Sequence, residues 1–225
     1  MKKIVGVFVY FNGKGLNLLL RLFVTRHGET IWNTQKKLQG WSDSELTENG
    51  IINALSLGER LKDIEFQSIY ASPSNRTIHT ATLIKGDREQ VIIEDENLRE
   101  IHLGEWEGQT QDVLREKYPE EYDAFWNTPH LYTTSSGENF YQLQDRVIHF
   151  LNRIISEHDN GNLLIVTHSV FIKALLVHCK NQTIEELWGP PFIHDTSLSV
   201  IEIKNGEIEM KLEGDITHRK EENFK

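Results

Sequence analysis

Cysteine occurs once among 225 residues, as Cys179, so no disulfide can close within this chain. It sits in the apolar run Ala174-Leu-Leu-Val-His-Cys179, where a small buried thiol is expected rather than a nucleophile. Basic residues are also in deficit. Lys and Arg total 24 against 34 for Asp and Glu, a formal charge of 24 − 34 = −10, which disfavours a nucleic-acid partner held by basic stripes. Long apolar runs are missing as well. The one near the start, Ile4-Val-Gly-Val-Phe-Val-Tyr-Phe11, is far below the roughly 20 residues that cross a bilayer, and no small-residue cleavage site comes after it. Together these absences lead to the expectation of a cytoplasmic protein with no membrane partner.

What is present suffices for one substantial core, since 225 residues with 38% hydrophobic content lie near the upper end of single-domain size. Residues 1–19 fit poorly with the rest of the chain, because Asn12-Gly-Lys-Gly15 interrupts the apolar pattern. They are expected to be an extension, either a loose tail or a start assigned too far upstream. The domain proper is placed at 20–217, with a charged, mobile tail over 218–225.

Within that domain, apolar runs at 22–25, 68–72, 91–93 and 163–167 read as strands and alternate with helical segments. Thr47 is the expected N-cap of a helix presenting Ile51, Ala54, Leu55, Gly58 and Leu61. A second helix runs from Asn75 to Leu83. Phe140, Leu143, Val147, Phe150, Leu151, Ile154 and Ile155 recur at the spacing of an amphipathic face that packs into a core. Lys204-Asn-Gly206 predicts a hairpin turn between two final strands. This order predicts an α/β fold, a three-layer α/β/α sandwich with a mostly parallel central sheet, an antiparallel edge, and a helical lid insertion over about 101–137.

The most informative segment is Leu22-Phe-Val-Thr-Arg-His-Gly-Glu-Thr30, an apolar strand that ends in a fixed cation, an imidazole and a glycine. Binding sites of open α/β sheets lie at such strand ends. Arg26 offers a planar fork to phosphate oxygens, His27 can attack phosphorus when neutral, and Gly28 is expected to let the backbone approach the anion. The design recurs at Val166-Thr-His168, again at a strand end and before a helix, while Arg76 comes shortly after the strand ending at Ser72.

Taken in order, Leu22 to Asn33, Leu38-Gln-Gly-Trp41, Leu46-Thr-Glu-Asn-Gly50, Ala71-Ser-Pro-Ser-Asn-Arg76-Thr-Ile-His-Thr-Ala81, Leu98-Arg-Glu100 and Val166-Thr-His168 resemble the histidine phosphatase superfamily, the group that includes phosphoglycerate mutases. The resemblance implies a nucleophilic His27, with Arg26, Arg76 and His168 binding the transferring phosphoryl group and Glu100 donating a proton. It implies no cofactor and no metal. Asn33 and Gln39 match positions whose amides donate to phosphate, and Gly40 comes next with a backbone role. Ser169 departs from the glycine that many relatives carry after the second histidine. It keeps a backbone N–H for phosphate and adds a hydroxyl. Glu29 is read as structural, His102 as a surface residue, and His79, His130, His149, His158, His178, His194 and His218 as structural or solvated. Trp106 is read as packing that fixes the Glu100 loop.

Chemistry adds its own requirements. His27 must be neutral, with an acceptor such as a backbone carbonyl on its other ring N–H, and Glu100 must hold a proton to serve a leaving alcohol. A bell-shaped rate profile is expected, rising as His27 deprotonates and falling as Glu100 does. The branch most similar in pattern is that of broad-specificity and ribazole-phosphate phosphatases, because the paired arginine segment of the mutases is not found after Glu100. The expected activity is therefore hydrolysis of small phosphorylated metabolites, by a monomer or homodimer, with Tyr118, Tyr122, Phe125, Trp126 and Tyr132 as an apolar wall or as core. Mutase-type transfer and a silent phospho-ligand binding module are the alternatives. The module needs no proton donor, yet Glu100 is present.

Overall fold

The computed structural model describes residues 19–219. The expected extension lies outside these residues save for Leu19, and so does the tail beyond Arg219. Among the described residues, six strands form one mixed sheet in the order β3-β2-β4-β1-β5-β6. Strand β1 (Leu19–Arg26) runs parallel to β4 (Gly161–Thr167), with Arg26 opposite Thr167. On the far side of β4, β2 (Ser68–Ala71) and the short edge strand β3 (Ile92–Glu94) are also parallel. Strands β5 (Leu198–Lys204) and β6 (Glu207–Asp215) complete the other edge as the expected antiparallel hairpin. Its turn residues Asn205 and Gly206 both take positive φ, 50° and 84°, which the Asn-Gly pair tolerates.

Alternation within the central strands explains the three layers. Leu22, Val24, Leu163 and Ile165 point into one apolar cluster with Phe150, Ile154 and Phe171. Phe23, Leu164 and Val166 point into the other, with Ala54, Leu57 and Ile84. A strand that buries both faces needs the continuous apolar run that the sequence shows. Helices α2 (Glu48–Arg60) and α3 (Asn75–Lys85) cover one face; α6 (Phe140–Glu157) and α7 (Ser169–Cys179) cover the other. The one-turn α1 (Ile31–Thr34) comes after the first strand, and α4 (Gln111–Lys117) and α5 (Pro119–Asn127) make the insertion.

Two expectations need correction. Leu55 is 50% exposed, and α2 instead buries Gly50, Asn53, Ala54 and Leu57. The rotation results from backbone contact: a Cβ on Gly50 would stand 2.2 Å from the Glu29 carbonyl oxygen, so the first turn of α2 is pressed onto the loop after β1. The tail boundary also shifts. His218 Nε2 lies 3.4 Å from the Thr196 hydroxyl, and Arg219 pairs with Asp195 at 3.3 Å, so these two residues belong to the packed domain.

Parallel register has the consequence that matters most. Strands β1, β2 and β4 end at one sheet edge, so the residues just beyond them, His27, Ser72 and His168, arrive together. Among the described residues no helix is long and apolar enough to cross a membrane.

Candidate active site

A cavity of about 750 Å³ opens at that edge, and Arg26, His27, Asn33, Gln39, Gly40, Arg76, Glu100 and Ser169 all line it. His168 is buried beneath, its ring 5.3 Å from that of His27. All nine residues singled out in the sequence are thus gathered in one place.

Their hydrogen bonds assign the imidazole tautomers. His27 Nδ1 lies 2.8 Å from the Gly28 carbonyl oxygen. A carbonyl only accepts, so Nδ1 carries the proton and Nε2 keeps its lone pair. His168 Nδ1 receives Arg76 Nη2 at 3.1 Å, and a guanidinium only donates, so the His168 proton sits on Nε2, which donates to the Ser72 hydroxyl at 2.8 Å. Burial, reinforced by Arg76 and then Arg26, holds His27 well below the usual imidazole range. His168 is held well below it too, by burial first, then Arg76, His27 and Arg26. Both imidazoles therefore give up a proton more readily than an ordinary histidine, as a nucleophilic His27 requires.

Arg76 is rigidly aimed. It donates to the carbonyls of Ser42 (2.7 Å) and Gly40 (2.8 Å), and pairs with Asp43 at 3.0 Å. Gly40 makes this possible with φ of +53°; a Cβ there would lie 2.3 Å from Glu107 Oε1. Gly28 also serves the packing. Its missing Cβ leaves room for the Gly50 carbonyl oxygen, which would lie 2.7 Å away, so the close approach is to α2. Arg26 donates to the Ile193 carbonyl at 3.1 Å, while its Nε and that of Arg76 are buried and unpartnered. Burial lowers the pKa of both guanidiniums, opposed by Asp195 for Arg26 and by Asp43 for Arg76.

Glu100 is 8% exposed and both of its oxygens are occupied. Oε1 accepts from the backbone N–H of Ile101 (3.0 Å) and Phe171 (3.1 Å), and Oε2 from that of Val170 (3.1 Å) and from the Ser169 hydroxyl (3.3 Å). Its main-chain carbonyl is held by Trp41 Nε1 at 2.9 Å and Arg146 Nη2 at 3.1 Å. Asn33 commits Oδ1 to capping Thr30, leaving its donor capacity for the cavity, and the Gln39 Oε1 has no partner. Glu29 is structural, accepting from the Thr47 hydroxyl at 2.7 Å. His102 is partly exposed and stacks 4.6 Å from Trp41.

Beyond the polar floor the walls are apolar: Leu38, Ile101, Leu103, Phe125, Trp126, Val170, Trp188, Phe192 and Ile193 line the cavity. Only Phe125 and Trp126 of the five aromatics singled out in the insertion do so. Tyr132 is buried in the cluster around Trp106, and Tyr118 and Tyr122 pack against the same core, where Trp106 is 2% exposed as expected of packing.

Sequence reasoning missed several supports. Thr80 accepts the Gly28 N–H at 2.9 Å and donates to the Arg76 carbonyl at 2.7 Å, joining the two motifs. Glu107 ties Trp41, Ser42 and Leu103 together through their N–H groups. Lys173 is buried in α7 with its ammonium on the Gly189 and Pro191 carbonyls, the latter at 2.9 Å, and burial draws its pKa down to about 8. A lone lysine inside the apolar run 170–179 was the available signal. Cys179 is buried, and desolvation pushes its thiol up to about 12. No group of three or more His, Cys, Asp and Glu among the described residues is placed to hold a metal ion.

An α/β sandwich with two arginines, two histidines and a glutamate at one strand edge defines an enzyme of phosphate esters. Residues 22–216 match the histidine phosphatase superfamily (branch 1), and the chain belongs to that family as a phosphomonoester hydrolase. It is 29% identical over 171 residues to phosphoserine phosphatase 1 of Hydrogenobacter thermophilus, spanning 76% of this chain and 81% of that protein. Among solved structures, Bacillus stearothermophilus YhfR is 43% identical with a TM-score of 0.87, over 89% of this chain and 100% of that one. The alpha-ribazole phosphatase from Shigella flexneri is 28% identical with a TM-score of 0.80, over 87% of this chain and 96% of that one.

Proposed function

We propose that the chain hydrolyses small phosphomonoesters through a phosphohistidine on His27, without a metal ion, with Glu100 as proton donor and water as final acceptor. The observation that carries this reading is the free lone pair on His27 Nε2, set by the Gly28 carbonyl at 2.8 Å in a cavity that also holds Arg26, Arg76 and Glu100. Phosphoryl transfer is chiefly positioning and charge stabilisation, and two fixed guanidiniums with the amides of Asn33 and Gln39 supply both. In the first step the P–N bond to His27 forms as the P–O bond breaks, and the Glu100 proton passes to the leaving oxygen. In the second, water attacks phosphorus, gives its proton to Glu100 and frees Nε2.

The leaving group would lie against Phe125, Trp126, Trp188 and Phe192, which favours esters with an apolar body. Lys36 and Lys37 also line the cavity, so a substrate with a second anionic group has cations to meet. This keeps phosphoglycerate-type transfer as the second reading. A silent binding module is disfavoured, since it would require no proton donor.

The test is labelling and turnover together. A phosphorylated substrate should leave an acid-labile phosphoryl group on the protein, absent in His27→Ala. A panel of aryl phosphates, phosphoserine, sugar phosphates and 3-phosphoglycerate, with mutase activity measured alongside, should show release of inorganic phosphate exceeding transfer. Tight binding without turnover on every ester would sink the proposal.

A further inference from the structure

Glu100 does more than face the cavity: it caps α7. Residues Ser169, Val170 and Phe171 are the first three of that helix, the N-cap His168 offers no side-chain hydrogen bond, and the Glu100 carboxyl receives the N–H groups of Val170 and Phe171 instead. A helix amino end satisfied in this way favours the anion. Arg26 from β1 and Arg76 from α3 line the same cavity. From α6, Arg146 grips the Glu100 main chain while pairing with Glu138. His27 and His168 face the site uncharged, and Glu107 on the flanking loop is occupied by N–H groups and by the Ser42 hydroxyl. Every group hydrogen-bonded to this carboxyl donates to it, whereas the chemistry needs it to carry a proton.

Three of the four groups bonded to the Glu100 carboxyl are peptide N–H donors, which can never accept. A proton on Oε1 would face two of them. The fourth group is the Ser169 hydroxyl, 3.3 Å from Oε2, and a hydroxyl can donate or accept by rotating about its C–O bond. We propose that Ser169 is a positioning residue for the acid step, turning its hydroxyl from donor to acceptor so that the Glu100 proton is held on Oε2 beside the leaving oxygen. This rests on Glu100 being the proton donor.

The step balances without a further reagent. As P–O breaks and P–N forms, the Oε2–H bond breaks and the proton joins the leaving alkoxide. The Ser169 O–H then rotates back to donate to the new carboxylate. When water later gives its proton to Glu100, the hydroxyl turns again.

The test compares Ser169→Ala, Ser169→Thr and Glu100→Gln on two substrates, p-nitrophenyl phosphate, whose leaving group needs little protonation, and a simple alkyl phosphate, which needs much. In Ser169→Ala the alkyl rate should fall about ten-fold more than the aryl rate, a share of the roughly 10²- to 10⁴-fold that general acids supply. Threonine should restore the alkyl rate, and the melting temperature should change little. Equal losses on the two substrates, or an alkyl rate that threonine does not restore, would overturn the proposal. If Glu100→Gln is selectively poor on the alkyl ester while Ser169→Ala is not, the swivel alone is wrong. If Glu100→Gln keeps the alkyl rate, the acid assignment falls and takes the swivel with it.

Discussion

Replacing Arg146 by methionine should both loosen the fold and disable the acid without touching the cavity floor. The guanidinium donates to the carbonyls of Asn97 (2.7 Å), Arg99 (2.7 Å) and Glu100 (3.1 Å), and forks onto Glu138 at 3.0 and 2.7 Å. With 14% of the Arg146 side chain and 18% of Glu138 exposed, this is a mostly buried pair. Removing one partner of such a pair costs about 3–5 kcal/mol, much of it from the stranded charge. Glu138 retains one N–H, from His102 at 2.9 Å, which argues for the low end, about 3 kcal/mol. For a domain of this size that is a drop of roughly 6–12 °C in melting temperature. Glu100 keeps Trp41 on its main chain but loses its second anchor, and a displacement of about 1 Å can cost about 100-fold in rate. Alkyl esters should suffer more than p-nitrophenyl phosphate. Calorimetry and steady-state kinetics on Arg146→Met, Glu138→Leu and the double variant provide the assay. The double variant should melt higher than additivity predicts, because no carboxylate is left unpaired. A melting temperature within about 1 °C of the parent, or equal losses on both esters, would refute the reasoning.

Acid should destabilise the protein from about pH 6.5 downward. The folded forms of His27 and His168 bind protons only well below the ordinary value, so between that value and the folded one the unfolded chain holds more protons. Stability is then fully present above about pH 6.5 and is lost as pH falls, by up to about 1.4 kcal/mol per pH unit for each such histidine. Urea titrations at pH 7, 6 and 5 measure this, and a flat dependence would contradict the burial of neutral imidazoles; the acid limb of kcat/KM should track the substrate's phosphate ionisation, near pH 6 for simple esters. Phe192, 70% exposed yet lining the cavity, offers a change that spares the core. Phe192→Ala should leave the melting temperature within about 2 °C while raising KM for an aryl phosphate about three- to ten-fold, equivalent to roughly 1 kcal/mol of lost apolar contact; equal effects on aryl and alkyl esters would show that the side chain does not meet the leaving group.

What the sequence disclosed and what it hid divide along the range of the interaction. The layers were legible because Leu22 to Val24 and Leu163 to Val166 are apolar at every position, and α6 because its seven apolar residues repeat at helical spacing. Arg26, His27, Arg76 and His168 were legible because each lies at or just past a strand end, a position with few structural reasons to hold a cation or an imidazole. Arg146 was hidden: it lies on the polar side of an amphipathic helix, where a solvated charge is the ordinary outcome, and only the packing of α6 against the 97–100 loop gives it three carbonyls. Asp43, in the loop before α2, and Thr80, buried in α3, were hidden because their partners Arg76 and Gly28 are distant in sequence or set by packing. The cavity wall at 188–193 could not be read either, since Trp188 and Phe192 acquire their role from the placement of that loop against α5 and α7. The Leu55 error shows the converse, where a glycine contact at Gly50 turned a helix whose apolar residues allowed more than one face.

Charge placement around the cavity explains why a protein of net charge −10 can attract a phosphate dianion. The cavity is lined by Arg26, Lys36, Lys37, Arg76 and Lys173 against a single acidic side chain, Glu100. The site is therefore locally basic in an acidic protein. It is strongly polarised, because Asp43 lies behind Arg76 and does not line the cavity, whereas both guanidiniums do. A phosphate dianion entering this arrangement would meet the cations of the lining, while the proposed acid step asks Glu100 to hold a proton beside it. An acid kept permanently neutral would forfeit the cap on α7, and one kept permanently charged would repel the dianion. In the proposed acid step the hydroxyl of Ser169, the one partner of the carboxyl able to accept, would let a cap made otherwise of N–H donors accommodate the proton.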